Sequence, residues 1–133
     1  MTPAVVSIAT TDDLGKARRL VMAWATQLDF NSLERTKLVT AASELGRNAL
    51  VHGKGGTMTI AQVQAGAKTG LQLEFTDGGP GIPDIAQAMT DGYSTAKSMG
   101  VGLGGARRLV SEFEINSRPG EGTRVTIKQW KRR

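Results

Sequence analysis

The stretch Met99-Gly-Val-Gly-Leu-Gly-Gly-Ala-Arg-Arg-Leu109 spells G-x-G-x-x-G at Gly100, Gly102 and Gly105, the pattern of a dinucleotide-binding turn. A chain with 17 glycines meets that pattern by chance, so its surroundings decide. A dinucleotide fingerprint directly follows a parallel strand and needs an acidic residue about 20 positions further on, at the end of the next strand. Here the preceding residues, DGYSTAKS from Asp91 to Ser98, are polar loop, and Glu121 falls inside the turn Pro119-Gly-Glu-Gly122 between strands that read as antiparallel. The Rossmann reading fails. No P-loop replaces it, because neither Gly15-Lys16-Ala17 nor Gly53-Lys54-Gly55 is followed by the hydroxyl residue it requires. A glycine-rich segment that opens a helix still gathers backbone N–H groups and the positive end of a helix dipole, which suits phosphates.

Outward from that stretch, residues 4 to 9 (AVVSIA) read as a strand. Thr11, with Asp12 and Asp13 behind it, reads as the cap and acidic first turn of a helix with Leu14, Ala17, Val21, Trp24 and Leu28 on its apolar face. A second helix begins near Asn31 or Ser32, where Ser32 and Arg35 do not complete a capping box. It runs to about His52 with Leu38, Ala41, Leu45 and Ala49 in one stripe, and Gly53 stops it. Residues 57–64 and 71–76 alternate as half-buried strands of a hairpin. The Gly and Pro cluster from Thr76 to Asp84 precedes a short helix over 85–89. A further helix is expected from Gly104 to Glu112 with Ala106, Leu109 and Val110 inward, and FEINS, the turn RPGEG and TRVTIKQW close the chain as an antiparallel pair. This order implies an α+β fold, a two-layer sandwich with a mixed, mostly antiparallel sheet and helices on one face.

At 133 residues the chain is expected to form one domain, 1–133. With 39% apolar and 22% charged residues it has an ordinary globular composition. No apolar run approaches the ~18 residues of a membrane helix, and the N-terminus has no secretory pattern. No cysteine is present, so disulfides and thiolate metal sites are excluded, and a cytoplasmic protein is expected. The formal charge is +5, with Lys128, Lys131, Arg132 and Arg133 clustered at the end. That balance suits an anionic ligand. Aromatic residues make only 5% of the chain and do not alternate with the basic ones, so the tail reads as solvated surface and no nucleic acid partner is expected.

Two further segments could carry chemistry. Glu44, Asn48 and His52 are spaced by four and stack on one helix face. A carboxylate and an amide oxygen in line suit Mg2+, which takes few protein ligands beside water and phosphate; a solvated helix face is the plainer reading of the same spacing. His52, the single histidine, reads as a cap at the helix end rather than a ligand. Asp77-Gly78-Gly79-Pro80-Gly81 follows a strand, which puts a carboxylate at the sheet edge beside glycines that admit a flat ligand. It could accept from an exocyclic amine such as that of adenine, or simply form an Asx-type turn.

Taken in order, Glu44-Leu-Gly-Arg-Asn48-Ala-Leu-Val-His52, Asp77-Gly-Gly79-Pro-Gly81, Gly100-Val-Gly102-Leu-Gly104 and Gly120-Glu-Gly122-Thr123 resemble the N box, the two glycine boxes and the terminal Gly-Thr of the GHKL ATPase/kinase superfamily, the Bergerat fold. Within it the chain is most similar to the anti-sigma-factor serine/threonine kinases of the RsbT switch-kinase type, although His52 is a residue those kinases often lack. The resemblance implies that Asp77 accepts the adenine amino group, that Thr123 assists through water, and that Gly79, Gly81 and Ile82 shape the base pocket. It implies that Asn48 ligates Mg2+ on the ATP phosphates and that Glu44 orients or deprotonates the attacking hydroxyl. Residues 91–105 would form the ATP lid, with Gly100, Val101, Gly102, Leu103 and Gly104 at the phosphates. Lys97 is a candidate phosphate contact, a solvated loop lysine being the plainer reading. The implied substrate is an STAS-domain antagonist protein. The implied output is a PP2C-type phosphatase, or a sigma factor if the chain is instead an anti-sigma factor, and no membrane is involved.

Overall fold

The computed structural model describes residues 2–82, 85–89 and 102–132. Its elements run β1 (Ala4–Ile8), α1 (Thr11–Gln27), α2 (Ser32–Val51), β2 (Gly56–Ala65), β3 (Lys68–Asp77), α3 (Ile85–Ala88), α4 (Gly102–Leu109), β4 (Glu112–Ser117) and β5 (Thr123–Trp130). The strands form one sheet in the order β1-β2-β3-β5-β4. Where a mixed sheet is expected from the sequence, all four pairings among the described residues are antiparallel. From β3 the chain passes through α3 and α4 to β4, two places away, and β5 then inserts between them, antiparallel to both, so that β3 and β4 run parallel without being neighbours.

The cap of α1 is Thr10, one residue before the expected Thr11. Asp13 lies three residues beyond Thr10, so the reciprocal pair forms there. The Thr10 hydroxyl accepts from the Asp13 N–H at 3.3 Å, and the Asp13 carboxylate accepts from the Thr10 and Ala9 N–H groups at 3.0 and 2.8 Å. The Ala9 bond, aided by those of Thr10, holds the Asp13 carboxyl below its ordinary pKa. The helix ends with Asp29 at φ 62°. Asp29 N–H donates to the Thr26 carbonyl at 3.1 Å and Phe30 N–H to that of Ala25 at 2.9 Å, which closes a Schellman turn and drives Phe30 into the core at 1% exposure. A side chain in the left-handed region is strained, so Asp29→Gly is expected to raise stability by about 0.5–1 kcal/mol in urea unfolding. A lowered midpoint would mean that the Asp side chain contributes more than its backbone costs.

Helix α2 does carry a capping box, one residue away from the pair expected not to form one. Asn31 Oδ1 accepts from Glu34 N–H and Glu34 Oε1 accepts from Asn31 N–H, both at 2.8 Å. The other Glu34 oxygen accepts from Arg132 N–H at 2.8 Å. This carboxylate, only 3% exposed, therefore fastens the end of the chain to the start of α2. The stripe Leu38, Ala41, Leu45 and Ala49 is buried, as are Leu14, Ala17, Val21 and Trp24 of α1.

Period-two alternation sends Ile8, Met58, Ile60, Leu71, Leu73, Phe75, Val125 and Ile127 to the face that the helices cover. At roughly 25 cal/mol per Å² of apolar surface removed from water, this shared layer is the dominant favourable contribution to folding. The open face is polar and carries a depression of about 430 Å3 lined by residues such as Glu74, Glu114, Arg124 and Lys128. It lies across the sheet from Asp77. Helix α4 begins two residues earlier and ends three residues sooner than the sequence suggests. Ser111 N–H donates to Gln129 Oε1 at 3.0 Å and Glu112 pairs with Lys128, which draws this segment onto the sheet.

Candidate active site

One line of residues crosses the end of the sheet on its helix-covered face. The register pairs Ile8 with Gly56, Gly56 with Asp77, Asp77 with Thr123 and Thr123 with Ser117. Asp77 and Thr123 share the inward parity of Phe75 and Val125, so the pleat places the carboxylate and the hydroxyl side by side on neighbouring strands. The last apolar layer of the core thus gives way to a polar rung.

Three pieces of backbone close around Asp77. Asn48 O accepts the N–H groups of His52 and Gly53 at 3.0 Å, and Ala49 O accepts from Gly55 N–H at 2.8 Å. These bonds end α2 and turn the chain onto Asp77 so tightly that a Cβ at Gly53 would overlap the carboxyl group. From the other side Gly122, at φ +82°, approaches the Asp77 carbonyl too closely for any side chain. Asp77 Oδ1 accepts from Gly79 N–H at 2.9 Å, which forms the Asx-type turn; carboxylate and turn coexist.

The glycine loop is then pinned to the β4–β5 turn. Pro80 O accepts from Gly120 N–H at 2.6 Å, Gly81 packs against the Arg118 carbonyl, and Ile82 N–H donates to Ser117 Oγ at 2.7 Å. Ser117 Oγ also bonds Gly122 O at 3.1 Å and Thr123 Oγ1 at 2.8 Å. Sequence reasoning missed Ser117. The turn RPGEG carried the signal, since the residues flanking a five-residue turn, Ser117 and Thr123, fall opposite each other in an antiparallel pair.

The Glu44, Asn48, His52 stripe runs from interior to solvent: Glu44 is buried at 9% exposure, Asn48 is half-buried and His52 is exposed. Glu44 Oε2 accepts from Gly102 N–H, the first residue of α4, at 3.2 Å. An acidic group at the positive end of a helix is favourably placed. Leu103 sends its side chain into the core, and Gly104 is buried beside it. What these residues can offer a ligand is the backbone N–H groups of a helix first turn. Gly100 and Val101, Lys97, and the lid expected over 91–105 as far as residue 101 lie outside the described residues.

An antiparallel sheet in this order with helices on one face is the fold of the histidine kinase-like ATPase domains. The chain belongs to that family: its model, the histidine kinase-like ATPase domain, matches residues 8–129. Among curated proteins the chain is 42% identical to the serine/threonine-protein kinase RsbT of Bacillus subtilis (strain 168), over 96% of either chain. It is 35% identical to the anti-sigma F factor of Thermoanaerobacter sp. (strain X514), over 86% of this chain and 82% of that one. In the solved structure of the RsbU and RsbW domains of a Mycobacterium tuberculosis protein, 34% of that chain superposes on the whole of this one at TM-score 0.69 and 22% identity. The mycobacterial sensor histidine kinase MprB superposes at TM-score 0.59 and 17% identity over 98% of this chain and 99% of that one. These two show the shared fold. The superfamily expected from the four motifs, and its serine/threonine kinase and anti-sigma class, are those of the curated relatives.

Proposed function

We propose that this chain is a Mg2+-ATP-dependent protein serine/threonine kinase in a partner-switching pathway. Its substrate is an STAS-domain antagonist protein, and when released it activates a PP2C-type phosphatase or similar output. The observation that carries this reading is the juxtaposition of a glycine-wrapped acceptor, Asp77 beside Thr123, with a buried carboxylate, Glu44, at the first turn of α4. The first suits an adenine ring slid against backbone. The second sits where α4 would meet a phosphate chain, and beyond capping α4 that carboxylate has no use in pure nucleotide storage.

The residues present fit Mg2+. Glu44 and Asn48 stand one helical turn apart and supply hard oxygens, the donor type that the ion prefers beside waters and phosphate oxygens. Asn48 would hold it, and bound there it would neutralise charge on the transferred phosphoryl group. Asp77 fixes the base and thereby the direction of the triphosphate, whose end the first-turn N–H groups of α4 receive. Glu44 orients the serine hydroxyl of the partner and takes its proton. Positioning and charge compensation then suffice, with no covalent enzyme intermediate.

The test is transfer of γ-phosphate from labelled ATP to an STAS-domain protein of the same organism. Labelling of one serine or threonine, dependent on Mg2+, is expected. A second reading has its own support in the similarity to an anti-sigma F factor: the chain sequesters a sigma factor and phosphorylates its own antagonist. Tight binding of a sigma factor, with no response to any STAS protein, would put that reading in place of the first.

A further inference from the structure

We infer that Ser117 is the residue that fixes the hydrogen-bond polarity of the base pocket and so selects a 6-aminopurine over a 6-oxopurine. The inference rests on the ATP-site reading above, and it follows from counting protons. A serine hydroxyl has one proton and two lone pairs. Ser117 Oγ makes three contacts among the described residues: Ile82 N–H at 2.7 Å, Gly122 O at 3.1 Å and Thr123 Oγ1 at 2.8 Å. Ile82 N–H can only donate, so it occupies one lone pair. The Gly122 carbonyl can only accept, so it takes the single Ser117 proton. The remaining Ser117 lone pair must then accept from the Thr123 hydroxyl.

With its proton committed to Ser117, Thr123 Oγ1 can only accept from anything else. Its neighbour on β3 is the Asp77 carboxylate, also an acceptor, with Oδ1 already bonded to Gly79 N–H. The pocket wall therefore offers two acceptors side by side. An amino group, with two N–H bonds, satisfies such a pair directly or across one water. A 6-oxo group sets a third acceptor against them, and an unpaired buried polar group costs more than an ordinary hydrogen bond gains. Ser117 acts through Thr123 and need not touch the nucleotide, so it is a positioning residue. The same hydroxyl also ties the glycine loop to the β4–β5 turn, and the test must separate that bracing from polarity.

Affinities for ATP and ITP, measured by calorimetry on the full chain, make the separation, because the two nucleotides share their ribose and triphosphate and differ in the base. Loosening the loop weakens both alike; releasing the Thr123 proton changes their ratio. Wild type is expected to favour ATP strongly. Ser117→Ala is expected to reduce the ITP-to-ATP Kd ratio about tenfold, the scale of one hydrogen bond. Ser117→Thr, which keeps the hydroxyl, should restore the ratio. In a Thr123→Val background, Ser117→Ala should leave the ratio where Thr123→Val alone puts it. An unchanged ratio in Ser117→Ala, with wild type still selective, would overturn this inference and leave the ATP site standing. A wild type that binds both nucleotides equally, or neither, would overturn the site reading and this one with it.

Discussion

Asp77→Asn is expected to weaken ATP binding by at least about 100-fold. The amide keeps the shape and can still accept from Gly79 N–H through its oxygen, so the turn survives. In the proposed site its NH2 would then face the adenine amine, donor against donor. Losing a charge-assisted hydrogen bond and leaving a desolvated donor unpaired are each worth roughly 1.5–3 kcal/mol, which together span about two to four decades in Kd. Calorimetry with Mg2+-ATP reads this directly, and circular dichroism should show an unaltered fold. A Kd within threefold of wild type would remove Asp77 from the base pocket and leave it only its turn with Gly79.

Glu44→Gln is expected to leave ATP affinity within a few-fold of wild type while phosphotransfer to the partner falls by about 10²- to 10⁴-fold, the usual contribution of a general base. Glutamine is a sharper probe than alanine here. Its oxygen can still accept from Gly102 N–H, so the first turn of α4 keeps the partner it has at 3.2 Å, and only the negative charge and proton affinity are lost. Single-turnover transfer under saturating ATP isolates the effect. Equal rates would show that Glu44 serves as a helix cap alone and that another group handles the hydroxyl proton.

Much of this was legible in the sequence, for identifiable reasons. β5 coincides with the expected strand because Arg124 to Lys128 alternates polar and apolar residues, and the buried stripe of α2 follows from spacing alone. The rejection of a Rossmann turn agrees with a sheet in which every pairing among the described residues is antiparallel. The misreadings are local and tertiary. The sequence reading puts the cap of α1 one residue late, at Thr11, and denies α2 a capping box, because each box is selected by an acid three positions on, Asp13 for Thr10 and Glu34 for Asn31. The end of α4 was overextended because the pull of Gln129 on Ser111 comes from a strand distant in sequence. Among site residues, Asp77 and Glu44 announce themselves by charge next to glycine or on a helix. Ser117 does not, since its importance lies in which neighbours share one proton.

The polar rung has a consequence for how this pocket can change. Thr123 faces Asp77 only because β5 sits in one register against β3. Sliding β5 by a single position would turn Thr123 to the open face and bring Gly122 or Arg124 opposite the carboxylate. The length of the turn from Arg118 to Gly122 sets a second register, that of β4 against β5, and with it whether Ser117 faces Thr123, whereas the Glu44 contact depends on a helix start from a different part of the chain. A lineage could change the segment ahead of α4 without moving the Ser117–Thr123 pair; inserting one residue in that turn would break the pair first.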